Sequence, residues 1–108
     1  MNGEQTLIRL CRADELPLNE ARRFDVNGKR IALYHLPAGF FATDDTCSHA
    51  ESSLSEGFIE DESVECPEHG AVFDIATGAP QTLPATKPVT VYRVVIEGEE
   101  VFLEDPDG

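Results

Sequence analysis

The apolar residues of this chain fall in short runs separated by polar turns, and no segment keeps a helical 3.6-residue period over eleven or more positions. "QTLIRL" (5–10) can begin a sheet. "RADELP" (12–17) has room for one helical turn before Pro17 ends it. In "RRFDVNGKRIALYHL" two strand-like runs flank Asn27-Gly28, a pair that suits a type I′ hairpin turn because both turn positions need positive φ. "GFFATD" (39–44), "SVEC" (63–66) and "AVFDI" (71–75) are further strand candidates. "VTVYRVVI" (89–96) is rich in β-branched residues and reads as one strand, followed by a turn at Glu97-Gly98-Glu99 and the strand "EVFLE". These elements predict an all-β domain of short antiparallel strands, a sandwich or small barrel. Residues 44–88 differ: they are polar and acidic, then punctuated by proline in "GAPQTLPATKP". A stretch that long inside a small domain is usually functional, so it reads as an insertion carrying the site on a β base.

Composition narrows the picture. The 108 residues are 41% hydrophobic, which fits one domain (1–108) with a modest core. A group that binds only the folded chain would add stability. No apolar run approaches the ~20 residues of a membrane helix, and "MNGEQTLIRLCRADE" lacks the pattern of a signal peptide. A soluble, cytoplasmic protein is therefore expected, and a monomer is taken as its expected state. The net charge of −13 makes nucleic acid a poor partner, and none is expected, because phosphate binding needs a basic footprint. The charge is unevenly placed. Residues 1–43 carry five acids and six bases, whereas residues 44–86 carry ten acids and no Lys or Arg. That segment can be a solvated surface or a docking face for a basic partner.

The same segment holds the candidate chemistry. Cys47-Ser48-His49 and Cys66-Pro67-Glu68-His69 lie sixteen residues apart and contain two of the chain's three cysteines and two of its three histidines. Three cysteines are too few for a disulfide framework, and Cys paired with His reads better as metal ligands. Pro67 and Gly70 favour tight turns, so each loop can offer a thiolate and an imidazole to one site. Zinc is one occupant of a Cys₂His₂ set, as in a zinc-binding interaction module. However, zinc sites usually pair Cys with Cys and His with His. The single-residue spacer in Cys47-x-His49 is tight for two ligands on one ion and comfortable when they reach different ions. A binuclear iron centre with bridging sulfide is then the better fit.

C-x-H, sixteen residues, then C-x-x-H followed by Gly resembles the Rieske [2Fe–2S] motif. The flanks "DDTCSHAESSLSEG" and "VECPEHGAVFDIATG" are similar to small bacterial Rieske ferredoxins, the electron carriers of aromatic-ring-hydroxylating (di)oxygenase systems. The resemblance spans nearly the whole chain. It implies a Rieske fold and one [2Fe–2S] cluster, with Cys47 and Cys66 on the inner iron and His49 and His69 on the outer iron. It also implies a flavin-dependent reductase as electron donor and a terminal oxygenase as acceptor, with no catalytic residues in this chain. At 108 residues there is no room for the mononuclear-iron domain of oxygenase large subunits. The small subunit of an assimilatory nitrite reductase is a second reading within the family. Respiratory Rieske proteins carry an extra disulfide at positions that are Ser52 and Glu68 here, and a Ser and a Tyr that donate to cluster sulfur where this chain has Ala71 and Phe73. Without those donors, and with carboxylates nearby, the expected potential is at the low end of the Rieske range, around −150 mV.

Other conspicuous residues have structural readings. Cys11 is expected to be a packed thiol. His35, on the strand face of Ile31 and Leu33, should be structural, and Tyr34 and Tyr92 should pack. Asp44 and Asp45 can cap the turn into the first loop. Pro80 and Pro84 resemble the proline-containing loop that covers the cluster in the family.

Overall fold

The computed structural model describes residues 6–46, 52–68, 70–82 and 87–104. The Asn27-Gly28 turn forms as the sequence predicts, with φ of 50° and 82°. It joins β2 (Glu20–Val26) to β3 (Lys29–Leu36) in unbroken antiparallel register. β4 (Gly39–Asp44) pairs with the other edge of β3, so β3 lies inside its sheet. This position explains its nearly continuous apolar run, since both faces of β3 are covered. Ala32, Tyr34 and Leu36 enter one core with Leu54, Val64 and Phe73. Ile31 and Leu33 enter a second core with Leu16, Val101 and Leu103. The strand is thus a wall between two cores.

A second sheet is built from β1 (Leu7–Arg12), β9 (Val94–Glu97) and β10 (Glu100–Glu104), in the order β1-β10-β9. The predicted helical turn is a single 3₁₀ turn at Ala13–Glu15, ahead of buried Leu16. At the turn between β9 and β10, Gly98 takes φ 64°. The structure corrects one expectation here: "VTVYRVVI" is two strands. β8 (Val91–Tyr92) pairs with β4, the chain breaks at Arg93, and β9 pairs with β10 in the other sheet. β-branched residues favour extended backbone but do not say which neighbour supplies the ladder, and a strand that switches sheets makes a corner between them.

Between β4 and β8 lies a third antiparallel sheet, β5 (Phe58–Glu60), β6 (Ser63–Glu65) and β7 (Val72–Asp74). β5 has little signature in the sequence, since two apolar residues between Gly57 and a run of acids give almost no pattern. All described strand pairings are antiparallel and no α-helix occurs among the described residues, in agreement with the all-β expectation. No helix there is long and apolar enough to cross a membrane.

Candidate functional site

The segment between β4 and β8 leaves the base through Asp45, which is fully buried. Its N–H donates to the Arg30 carbonyl (2.9 Å), and its carbonyl accepts from the Leu54 N–H (2.6 Å). Its Oδ1 accepts from the Ser55 N–H (2.8 Å). A β-bridge between Thr46 and Ser53 closes the same loop. Asp45 therefore ties both ends of the first Cys-His loop, as the sequence suggests for a capping residue. Cys47 and His49 lie outside the described residues. The loop returns through a 3₁₀ turn at Leu54–Glu56 whose Leu54 is buried in the core.

The second loop is the β6–β7 hairpin. Cys66, its first residue, has no exposed surface. The Cys66 N–H donates to the Ala71 carbonyl (2.7 Å), and the Gly70 N–H donates to the Cys66 carbonyl (3.0 Å). Gly70 takes φ 72°, a conformation that L side chains rarely adopt. His69 lies outside the described residues. Ala71 and Phe73 are fully buried beyond the turn and carry no side-chain donor.

The two loops sit side by side. Ser52, Glu56, Pro67 and Glu68 line one shallow cleft, which places the residues at 52 and 68 on facing loops. Deeper down, Gly57 packs on β6: a Cβ there would lie 2.2 Å from the Glu65 carbonyl oxygen. Gly57 carries no local signal in the sequence that marks this role. A third segment runs back along β7. Pro80 bridges Phe73, and the Gln81 N–H donates to the Val72 carbonyl (2.7 Å). The Thr82 hydroxyl accepts from the Val72 N–H (3.0 Å). Pro84 is outside the described residues.

Electrostatically, residues 44–86 are one-signed, with no Lys or Arg. Glu56, Glu60, Asp61, Glu62, Glu65 and Glu68 are all exposed, while the ion pairs Arg9–Glu100, Arg12–Glu99, Arg23–Asp25 and Arg93–Glu104 lie in the other two sheets and their turns. Among the described residues no group of three or more His, Cys, Asp or Glu side chains could hold a metal ion.

The remaining candidates are structural. The His35 Nδ1–H donates to the Leu16 carbonyl (2.7 Å), and the ring stacks on Phe40 at 4.1 Å. Burial pushes the Cys11 thiol above its ordinary pKa, in the second core. Burial also pushes the Tyr34 phenol well up; its hydroxyl pairs with Thr43 Oγ1 at 2.9 Å. The Tyr92 hydroxyl donates to Asp44 Oδ1.

A small antiparallel sheet carries two apposed loops between strands of a larger β base, and one loop begins with a buried cysteine. That is the architecture of an iron–sulfur electron-transfer domain. Residues 6–93 match the Rieske [2Fe-2S] domain, and the chain belongs to that family.

Within the family, the chain is 43% identical over 102 residues to the 3-phenylpropionate/cinnamic acid dioxygenase ferredoxin subunit of Shigella boydii serotype 4 (strain Sb227), covering 94% of this chain and 95% of that protein. Among solved structures it is similar to the ferredoxin of carbazole 1,9a-dioxygenase from Nocardioides aromaticivorans IC177. That match has a TM-score of 0.88 and 36% identity, and covers 92% of this chain and 97% of the other. It is equally similar (TM-score 0.88, 35% identity, 94% of both chains) to a chain in the complex of reduced oxygenase and oxidized ferredoxin in carbazole 1,9a-dioxygenase. The family's cofactor is a [2Fe–2S] cluster held by Cys and His. The chain is an electron-transfer component of the ferredoxin kind, not the catalytic oxygenase.

The residues present fit such a group. The donor set of two thiolates and two imidazoles is the one that gives each iron its own ligand type. Cys66 sits without solvent contact at the start of a closed turn, and the return arm of the other loop lies across a cleft from the next two residues, Pro67 and Glu68.

Proposed function

We propose that Cys47 and Cys66 hold the inner iron and His49 and His69 the outer iron of one [2Fe–2S] cluster. We propose further that the chain passes single electrons from a flavin-dependent reductase to a terminal ring-hydroxylating oxygenase. The observation that carries the reading is fully buried Cys66 in the β6–β7 turn, beside a loop whose two ends Asp45 ties together. When bound, the cluster supplies reversible one-electron redox chemistry. The chain's own residues supply the frame. Asp45 and the Thr46–Ser53 bridge fix the exit and return of the first loop, and the Cys66–Ala71 and Gly70–Cys66 hydrogen bonds fix the second. A rigid frame limits the reorganisation that accompanies gain or loss of charge. Residues 44–88 are then the inserted cluster-carrying unit of a single domain, 1–108.

Ala71 and Phe73 offer no hydroxyl toward the site, and the exposed carboxylates around it disfavour added negative charge. Both support a low potential, around −150 mV. The acceptor is supported by the likeness to a ferredoxin-type chain in complex with its oxygenase. The acidic surface suits basic patches on both partners. A monomer in a reducing cytoplasm completes the proposal: with two cysteines as ligands, the third is the buried thiol of Cys11. A nitrite-reductase small subunit would share the cluster and differ in its acceptor.

Iron and acid-labile sulfide in equal amounts, two of each per chain, are expected in purified protein. Changing His49 to Cys should alter or abolish the Rieske spectrum. A colourless zinc protein, or a spectrum indifferent to that change, would rule the ligand assignment out. Delivery of electrons to a nitrite reductase flavoprotein but not to a ring-hydroxylating oxygenase would reassign the partner.

A further inference from the structure

The outer face of the β5–β6–β7 sheet carries a feature that neither the fold nor the cluster frame uses. Strand register sets Phe58 beside Glu65 and Glu65 beside Val72, a row across all three strands. Phe58 is 65% exposed, the most exposed of the chain's large hydrophobic residues among those described. The next residue, Ile59, supplies the strand's packing by facing the first core. Phe58 therefore contributes little to folding. It helps line a surface cleft of about 320 Å³ together with Ile59, which is only partly buried, and Glu60, Ser63, Glu65 and Val72. Glu65 immediately precedes Cys66, so the row ends beside the second loop. The cleft thus combines an exposed aromatic ring and an aliphatic neighbour with two carboxylates, in a segment (44–86) that has no Lys or Arg.

Aromatic residues in a central position are the usual anchors of protein interfaces, while rim charges set orientation and on-rate. A single exposed Phe means little by itself. Here it is joined to Val72, ringed by like charges and tied by strand register to the residue before Cys66. The surface that complements it is an apolar socket rimmed by Arg or Lys. We infer that the Phe58–Glu65–Val72 face is the anchor by which this chain docks on its terminal oxygenase. The inference rests on the carrier reading above. It adds an apolar anchor, at a stated place, to an attraction that charge alone would leave diffuse.

The test uses cluster-loaded protein in two separate reactions. In one, chemically reduced carrier is titrated into its cognate oxygenase and product is measured. In the other, oxidised carrier is titrated into its cognate reductase and its reduction is followed. Phe58→Ser should raise the carrier concentration for half-maximal oxygenase turnover about tenfold, with an unchanged limiting rate, spectrum and midpoint. It should change the reductase reaction less than twofold, and Phe58→Leu should restore most of the loss. Glu60→Lys should raise half-saturation in the oxygenase reaction severalfold at low ionic strength and less at high salt; it decides the matter if Phe58→Ser fails to load its cluster.

An unchanged oxygenase half-saturation in Phe58→Ser overturns the inference. So does a larger shift with the reductase, or a wild-type dimer that Phe58→Ser dissociates. A wild-type holoprotein that delivers no electrons to the oxygenase at any concentration refutes the carrier reading itself, whatever the variants do.

Discussion

Gly57 lies against the carbonyl oxygen of Glu65 with no room for a side chain: an added Cβ would sit 2.2 Å from that oxygen and 3.1 Å from the Leu54 carbonyl oxygen. Its backbone is ordinary, with φ −81°, so the requirement for glycine is one of space. The contact holds the return arm of the first loop against the strand that leads into Cys66. Gly57→Ala should cost about 1–3 kcal/mol through forced separation of the two segments and should lower cluster occupancy. Gly98→Ala is the comparison. It meets open space and only a left-handed backbone, should cost about 1 kcal/mol, and should leave iron content unchanged. Thermal unfolding and iron per chain measure both.

Tyr34 and Thr43 form a buried hydroxyl pair, and Thr43 Oγ1 also donates to the Asp44 carbonyl at 2.8 Å. The two ends of the pair are not equivalent. Tyr34→Phe removes one hydrogen bond and leaves Thr43 with a partner, at a cost of about 1 kcal/mol. Thr43→Val leaves the Tyr34 hydroxyl stranded in the core, at about 1–3 kcal/mol. Urea unfolding of the two variants should rank Thr43→Val as the less stable; the reverse order would contradict the assignment.

Alkali should unfold this protein earlier than its charge alone suggests. Burial holds the Tyr34 phenol protonated in the folded state well above its ordinary pKa of 10.0. The unfolded phenol loses its proton near that value, so above it the folded chain binds more protons than the unfolded one. Stability then falls as pH rises, by about 1.4 kcal/mol per pH unit from this group. The raised Cys11 thiol acts in the same direction, starting near 9.0. Unfolding free energies measured from pH 8 to 11 should decline, and Tyr34→Phe should flatten the slope above pH 10.

Ala71 and Phe73 occupy fully buried positions beside the Cys66 turn without a hydroxyl. Ala71→Ser with Phe73→Tyr should introduce donors that favour the more negative state of the site. A tenfold preference for that state corresponds to a positive shift of about 59 mV for one electron. A redox titration of the double variant checks this, and a midpoint that stays put or falls would contradict it.

Ten acids and no Lys or Arg between residues 44 and 86 should make partner encounter sensitive to ionic strength. Turnover at sub-saturating carrier should fall as salt rises, while turnover at saturating carrier changes less. A flat response at low carrier would remove the long-range electrostatic attraction.

Several elements are legible in the sequence. The Asn27-Gly28 hairpin can be read because its backbone demands those residues, and "GFFATD" because its bounds are marked by Gly39 and the acids after Thr43. The Cys-His loops are legible because spacing along the chain is itself the signal. Cys66 lies buried at the start of the β6–β7 turn, while Cys47, His49 and His69 fall outside the described residues. The division of residues 89–96 into two strands is hidden for a physical reason. Those residues favour extension equally on both sides of Arg93, and only the partners β4 and β10 divide them.

The sequence by itself determined the strand-rich class, the hairpin turns and the spacing of the two Cys-His pairs, because each depends on local backbone preference or on separation along the chain. Tertiary structure alone decided that β3 serves two cores, that Ser52 and Glu68 line one cleft, that Gly57 must be small, and that Phe58 faces outward beside Glu65. Those relations join residues distant in sequence, and their energies come from contact and burial that exist only once the three sheets have assembled.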